Sequence, residues 1–279
     1  MNRKQQIFQG FIKLIKKLLG GKKALLLMKK IIHLLPPTYA FPLTWLCLGE
    51  FPLDSSSELE YTYGTPRDFR LTKVKVNPKC LHARFFVMSG YYEGFLTKEI
   101  LSPKRKGLLV DIGANFGYYS ILWLQKNETR AIAVEPVAEY VELLNENLKS
   151  YEGRYKVVAS CIGDRDGVAF VDTCGEPTML SKIVVDENSA ARPTEMITLK
   201  SLLKRYNEDK IDVLKIDAEG YDIKILESCK PLFEAKIIGA VFWETSKCQE
   251  EKKIIQFLEE IGYSKILDND ATGYELVVS

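Results

Sequence analysis

From about residue 88 to the C-terminus, short apolar runs alternate with stretches whose apolar positions recur at helical spacing. Leu108–Val110, Ala131–Val134, Tyr155–Cys161, Val213–Ile216 and Ile237–Trp243 read as strands, the first of them buried on both faces. Between them, Tyr118–Leu124 is too long and unbroken for another strand and predicts a buried helix. Val137–Lys149 is helical through Val141, Leu144 and Leu148, and Tyr91–Leu101 and Lys252–Ile261 predict further helices. Tyr263–Leu267 and Tyr274–Val278 close as an antiparallel pair around Asn269–Gly273. Residues Thr173 to Pro193 lack a clear period and contain Gly175, Pro177 and Asn188, so we read them as a loop and a lid on the substrate side. Strand–helix alternation of this kind predicts an α/β fold with a mostly parallel sheet.

The N-terminal part follows other rules. Ile7, Phe8, Phe11, Leu14, Ile15, Leu18 and Leu19 share a helical period, with Lys13, Lys16 and Lys17 mostly on its flanks. Gly20-Gly21 ends that helix, and Lys22–Leu35 predicts a second. Pro36-Pro37 and Pro42 interrupt the uncharged stretch Ile31–Gly49, which argues against a membrane span. Lys29-Lys30 after the brief run Ala24–Met28, with no small-residue cleavage site, argues against an export signal. Phe69–Val76 and Arg84–Met88, divided by Asn77-Pro78, predict a hairpin, and His82 beside it is better read as structural than as a catalytic base. These patterns divide the chain into a helical arm (1–53), a hairpin and helix (54–106) and a core domain (107–279).

Charge sharpens that division. Residues 1–49 hold nine lysines and arginines and no acid, so removing them from the net charge of +2 leaves −7 for the remainder. A basic amphipathic helix suits an anionic membrane surface, its own domain or a second subunit. Six cysteines at irregular intervals, with no C-x-x-C pair, argue against a zinc site or disulfide framework and for a reducing compartment. Two histidines in the whole chain argue against a multi-histidine metal site. The expected location is the cytoplasm, with peripheral membrane contact through residues 3–35 as one option.

The chemistry concentrates at strand ends. Leu108–Val110 runs into Asp111 and the loop Gly113-Ala-Asn-Phe-Gly117 before the helix at Tyr118. Gly113 and Gly117 allow a sharp turn and close approach to a ligand. The spacing is G-x-x-x-G, whereas a dinucleotide fingerprint requires G-x-G-x-x-G. An acid two residues before the first glycine would repel a pyrophosphate but could receive an ammonium. The second strand ends in Glu135-Pro136, where a carboxylate can accept hydrogen bonds from a ribose diol. One acid for an amine and one for a ribose fits S-adenosylmethionine better than NAD. Asp164, beyond the third strand, could accept a hydrogen bond from an adenine amino group or simply form an Asp-Gly turn. Asp217 and Glu219 follow the strand Val213–Ile216 as candidates for a general base, Asp217 the stronger of the two and Glu219 equally readable as a first-turn helix charge, with a divalent-cation site as the rival reading. Lys215 points away or pairs with a neighbouring acid, and Glu244 ends the next strand on the same side.

Val110-Asp-Ile-Gly-Ala-Asn-Phe-Gly-Tyr-Tyr-Ser120, Val134-Glu-Pro136, Ile162-Gly-Asp164 with Gly167, and Leu214-Lys-Ile-Asp-Ala-Glu-Gly220 together resemble the FkbM-type family of S-adenosylmethionine-dependent methyltransferases over about residues 88–245. The resemblance implies a class I Rossmann-like fold, with a seven-stranded, mostly parallel sheet and an antiparallel terminal hairpin. It also implies O-methylation of a hydroxyl on a sugar, glycan or other small metabolite. By position it makes Asp111, Gly113, Asn115, Gly117, Glu135 and Asp164 cofactor residues, with Ala114 and Pro136 beside them in the same motifs. The family's acid after Thr-Leu is replaced here by Lys200, after Thr198-Leu199. A non-catalytic binding or scaffolding protein is the alternative of another class. Nucleic-acid methylation is disfavoured by the acidic body and the lack of an aromatic-basic platform.

Overall fold

The computed structural model describes residues 3–34, 43, 46–47, 61–63, 72–76, 94–172, 182–184, 192–244, 248–268 and 272–276. They form two compact units, 1–92 and 93–279. Residues 93–106, assigned by their pattern to the middle segment, therefore belong with the core.

In the first unit, helices α1 (Arg3–Leu19) and α2 (Gly21–Leu34) meet at Gly20, whose φ of +76° is left-handed. A glycine adopts that geometry without the Cβ penalty, and so ends one helix and starts the next. Ile12 and Ile15 of α1 pack with Ala24, Met28 and Ile32 of α2 in a small core completed by Leu43 and Cys47. Strand β1 (Tyr61–Tyr63) pairs antiparallel with β2 (Thr72–Val74). The hairpin expected at Phe69–Val76 thus finds its partner upstream; Arg84–Met88 and His82 lie outside the described residues.

The second unit begins with α3 (Gly94–Leu101), β3 (Gly107–Ile112), α4 (Tyr118–Leu124), β4 (Thr129–Val134), α5 (Ala138–Leu148), β5 (Tyr155–Val158), β6 (Cys161–Ile162), β7 (Gly167–Asp172), β8 (Lys182–Val184) and β9 (Arg192–Ile197). It continues with α6 (Leu199–Tyr206), β10 (Ile211–Ile216), α7 (Asp222–Ser228), α8 (Lys230–Glu234), β11 (Ile238–Trp243), α9 (Gln249–Glu260), β12 (Tyr263–Asp268) and β13 (Thr272–Leu276).

Seven strands form the main sheet in the order β12-β13-β11-β10-β3-β4-β5. The pairings from β11 to β5 are parallel, while β13 runs antiparallel to both β11 and β12. The expected Rossmann-like sheet with its antiparallel terminal hairpin is therefore present. One face carries Leu108, Val110 and Ile112 of β3, Ile132 and Val134 of β4, and Leu214 and Ile216 of β10, in one buried cluster with Leu202, Ile225 and Ile254 of the covering helices. Alternation along each strand puts Asp111 and Lys215 on the opposite face. The chain leaves β3 towards β4 and β5, then returns to the other side of β3 as β10. That reversal opens a crevice beyond the carboxyl ends of β3 and β10, where open α/β sheets bind ligands.

A second sheet corrects two expectations. The run Tyr155–Cys161 is split: β5 stays in the main sheet, and β6 pairs parallel with β9 in a four-stranded sheet of order β6-β9-β7-β8. The stretch read as a loop from Thr173 to Pro193 contains β8 and the first residues of β9. Its remaining residues, and with them the lid, lie outside the described residues. This small sheet closes over its own core of Val137, Tyr140, Cys161, Ala169, Val171 and Met196.

Candidate active site

Tight backbone packing shapes the crevice at the ends of β3 and β10. Gly113, at φ +69°, lies so close to the carbonyl of Asp217 that an added Cβ would sit 1.9 Å from its oxygen. The Asp217 amide donates to the Ile112 carbonyl at 3.1 Å, while Gly113 and Ala114 both donate to the Val134 carbonyl at 3.0 Å. Gly117, at φ +93°, caps α4 and passes within 2.7 Å (measured from an added Cβ) of Leu144. Asn115 and Glu219 also adopt left-handed φ values, +52° and +49°, one on each of the two loops. For residues other than glycine such geometry costs about 1–3 kcal/mol and persists only where the surroundings impose it.

Between these loops lies a cleft that opens beyond the carboxyl ends of the strands, where open α/β sheets bind ligands. Gly113, Asn115, Glu135, Pro136, Asp217 and Glu219 line it, so six of the ten residues singled out by sequence come together there. Tyr140, Ser160, Cys161, Ile162 and Ala218 also line it. Ile162 was legible as the start of a motif; Tyr140 and Ser160 carry no signal of their own, because only the fold brings them to the wall.

Glu135 is buried, and its carboxylate is held by main-chain amides. Asn115 N donates to Oε2 at 2.9 Å and Val137 N to Oε1 at 3.0 Å. Burial pushes this carboxyl up to about 7 despite those two bonds. Glu219 is also raised to about 7, by burial first and then by the negative charges of Asp217, Glu244 and Asp222. Asp222, a buried acid absent from the sequence reading, accepts from the amides of Ala218 and Gly220 at 3.3–3.4 Å, and so braces the turn that carries Glu219. Burial and the nearby Asp217 raise its pKa as well.

Asp111 is placed differently from its expected position against a ligand. Its carboxylate is fully buried beneath the loop and lies outside the cleft lining. Ser120 Oγ donates to Oδ2 at 2.8 Å, and Lys215 Nζ lies 3.5 Å from Oδ1. The ammonium that faces Asp111 is thus the protein's own. Lys215 also donates to the carbonyls of Ile112 and Gly113 at 3.3 and 3.1 Å, and approaches Asp217 at 3.4 Å. Asp164 is exposed and outside the lining; it accepts from the Tyr221 hydroxyl at 3.1 Å. Ala114 and Gly117 shape the loop from behind. Thr198, beside the departure at Lys200, caps α6 by accepting from Ser201 N at 3.1 Å. Among the described residues no group of three or more His, Cys, Asp and Glu side chains is arranged to hold a metal ion.

No curated protein matches the chain in sequence. Among solved structures, it is similar to a precorrin-6y C5,15-methyltransferase from Geobacter metallireducens at 14% identity, over 64% of this chain and 83% of that one, with a TM-score of 0.38. It is similar to TrmK of M. capricolum in complex with S-adenosylhomocysteine at 14% identity, over 65% and 67% of the two chains, with a TM-score of 0.38. The METTL16 MTase domain aligns over 90% of this chain and 81% of that one at 13% identity, with a TM-score of 0.42. The family described as "Methyltransferase FkbM domain" matches residues 111–265. That span, more than half the chain, runs from the buried acid of β3 into β12 and includes both loops of the cleft; the protein belongs to the FkbM-domain methyltransferase family.

Proposed function

We propose that this protein is an S-adenosylmethionine-dependent O-methyltransferase acting on a hydroxyl of a sugar, glycan or other small metabolite. The observation that carries the reading is the convergence of Gly113, Glu135 and Glu219 on one cleft at the switch point of the sheet. The residues fit the cofactor. Gly113 lets the main chain come close, Glu135 offers carboxylate oxygens at the end of β4 for a diol, and Ile162, Pro136 and Tyr140 supply apolar wall for a purine. When bound, S-adenosylmethionine supplies a methyl group made electrophilic by its sulfonium.

The chain's own contribution is orientation, exclusion of water and removal of a proton. Glu219 takes the proton that the acceptor hydroxyl loses, because a carboxyl held near 7 exists as a base at neutral pH yet retains proton affinity. Asp217 faces Lys215 and, through its charge, helps to raise Glu219. Asp111 acts from below: with Ser120 and Lys215 it fixes the loop whose upper surface meets the ligand.

The test is transfer of labelled methyl from S-adenosylmethionine by the full-length protein to separate pools of oligosaccharides, small hydroxylated metabolites and RNA. Methyl ethers in the first two pools, identified by mass spectrometry and lost in Glu219→Gln, are expected. Label confined to RNA would replace the acceptor class, and binding without transfer to any pool would favour a non-catalytic role.

A further inference from the structure

Helix α1 has more apolar surface than its fold uses. Ile12 and Ile15 turn inward onto α2 and are buried. Ile7, Phe11, Leu14 and Leu18 recur at i, i+4, i+7 and i+11, which places them on one stripe of the helix. That stripe is directed away from the core between α1 and α2, and these side chains are between 47% and 72% exposed. Four large apolar groups in line on a surface mark a docking face, whereas isolated exposed leucines do not. Phe8 and Leu19, also exposed, widen it.

The surrounding charge decides what covers this face. Lys13 and Lys17 stand exposed on successive turns beside the stripe. Residues 1–49 contain nine lysines and arginines and no aspartate or glutamate. A second copy of the same helix pair would bring like charges together. An anionic surface would complement them, and a bilayer also offers the apolar layer that the stripe needs. Among the described residues no helix is long and apolar enough to cross a membrane.

We infer that α1 lies in the interface of an anionic lipid bilayer, with Ile7, Phe11, Leu14 and Leu18 directed into the acyl boundary and the flanking lysines among the headgroups. This assignment is independent of the methyl-transfer reading, because none of its residues lines the cleft.

Flotation of the full-length protein with vesicles tests it, using phosphatidylcholine alone or mixed with phosphatidylglycerol. The wild type is expected to float with the mixed vesicles and to bind the neutral ones about tenfold less, with binding weakened by salt. Leu14→Gln with Leu18→Gln reduces binding to both by about tenfold or more, since two exposed side chains lose their apolar burial. These positions lie outside the core between α1 and α2, so the far-ultraviolet circular dichroism stays that of the wild type. Lys13→Glu with Lys17→Glu reduces binding to mixed vesicles and leaves the apolar stripe intact, which gives a second readout independent of the leucine pair. A wild type that fails to float with mixed vesicles overturns the inference, as does a leucine variant that floats like the wild type. Light scattering that shows a dimer split by Leu14→Gln and Leu18→Gln, with vesicles unbound, would assign the face to a second copy instead.

Discussion

Asp111 and Lys215 stand opposite each other in register on the parallel strands β3 and β10, with Nζ 3.5 Å from Oδ1. Register partners in a parallel pair project to the same face, so the ion pair follows directly from the alignment of the two motifs. Burial drives the Asp111 carboxyl upward, and the charge of Lys215 is the main influence opposing it. Because Lys215 also donates to the carbonyls of Ile112 and Gly113, the pair ties the glycine loop to the neighbouring strand from below.

Replacing Lys215 by Met leaves a buried carboxylate without its cation and is expected to cost about 3–5 kcal/mol in urea unfolding. Asp111→Asn combined with Lys215→Met removes both charges and is expected to be more stable than Lys215→Met alone. If the single and double variants unfold at the same urea concentration, the pair does not have the assigned role.

The glycines of the two loops differ in what they tolerate. Gly113→Ala places a Cβ against the Asp217 carbonyl, and is expected to destabilise the protein by about 3 kcal/mol or more and to abolish cofactor binding. Gly220 has a comparable φ of +92° but nothing within 4 Å of an added Cβ. Gly220→Ala should therefore cost only the left-handed backbone penalty, about 1–2 kcal/mol. Thermal melts and cofactor titrations of both variants check the contrast.

The main sheet was legible because its strands are buried apolar runs closed by an acid or a glycine, as in Val110-Asp111 and Val134-Glu135. Its neighbour, the four-stranded sheet, was not. β8 is three residues long, and the six residues of β9 open with Arg192-Pro193-Thr194-Glu195, so neither shows an apolar period of two. The cleft lining was legible where a motif carried it, at Gly113, Glu135, Asp217 and Glu219. The direction of Asp111 was not, since an acid at a strand tip reads the same whether it faces a ligand or a lysine, and only the register with Lys215 decides. The shift of Glu219 likewise depends in part on Asp222, which no motif singled out, whereas Glu244 was legible at the end of the next strand.

The role as base proposed for Glu219 makes the rate pH-dependent. Turnover under cofactor saturation is expected to rise with pH through an apparent pKa near 7 and then to level off. Glu219→Gln should lower kcat by about 100-fold or more and remove that titration. A variant that is slow but keeps the wild-type pH profile would place the base elsewhere.

The same shifts act on stability. Glu135 and Glu219 titrate near 7 in the folded chain and near 4.5 when unfolded, so between those values the folded state binds more protons. Their contribution is fully present below about pH 4.5 and is lost as pH rises through about 7. Glu195, lowered to about 2 by Arg205 and Ser160, changes only at more acid pH. Thermal melts between pH 5 and 6.5, below the range in which Lys126 loses its proton in the folded state, should therefore show a Tm that falls with pH, with a shallower slope in Glu219→Gln.

The most direct measurement of the central claim is calorimetric titration of S-adenosylmethionine into the wild type and into Glu135→Ala, which removes the acceptor held by the amides of Asn115 and Val137. One site per chain in the wild type, weakened about tenfold or more in the folded variant, is the predicted result. A folded wild type that produces no heat of binding, or a Glu135→Ala variant that binds as tightly as the wild type, would contradict the cleft assignment.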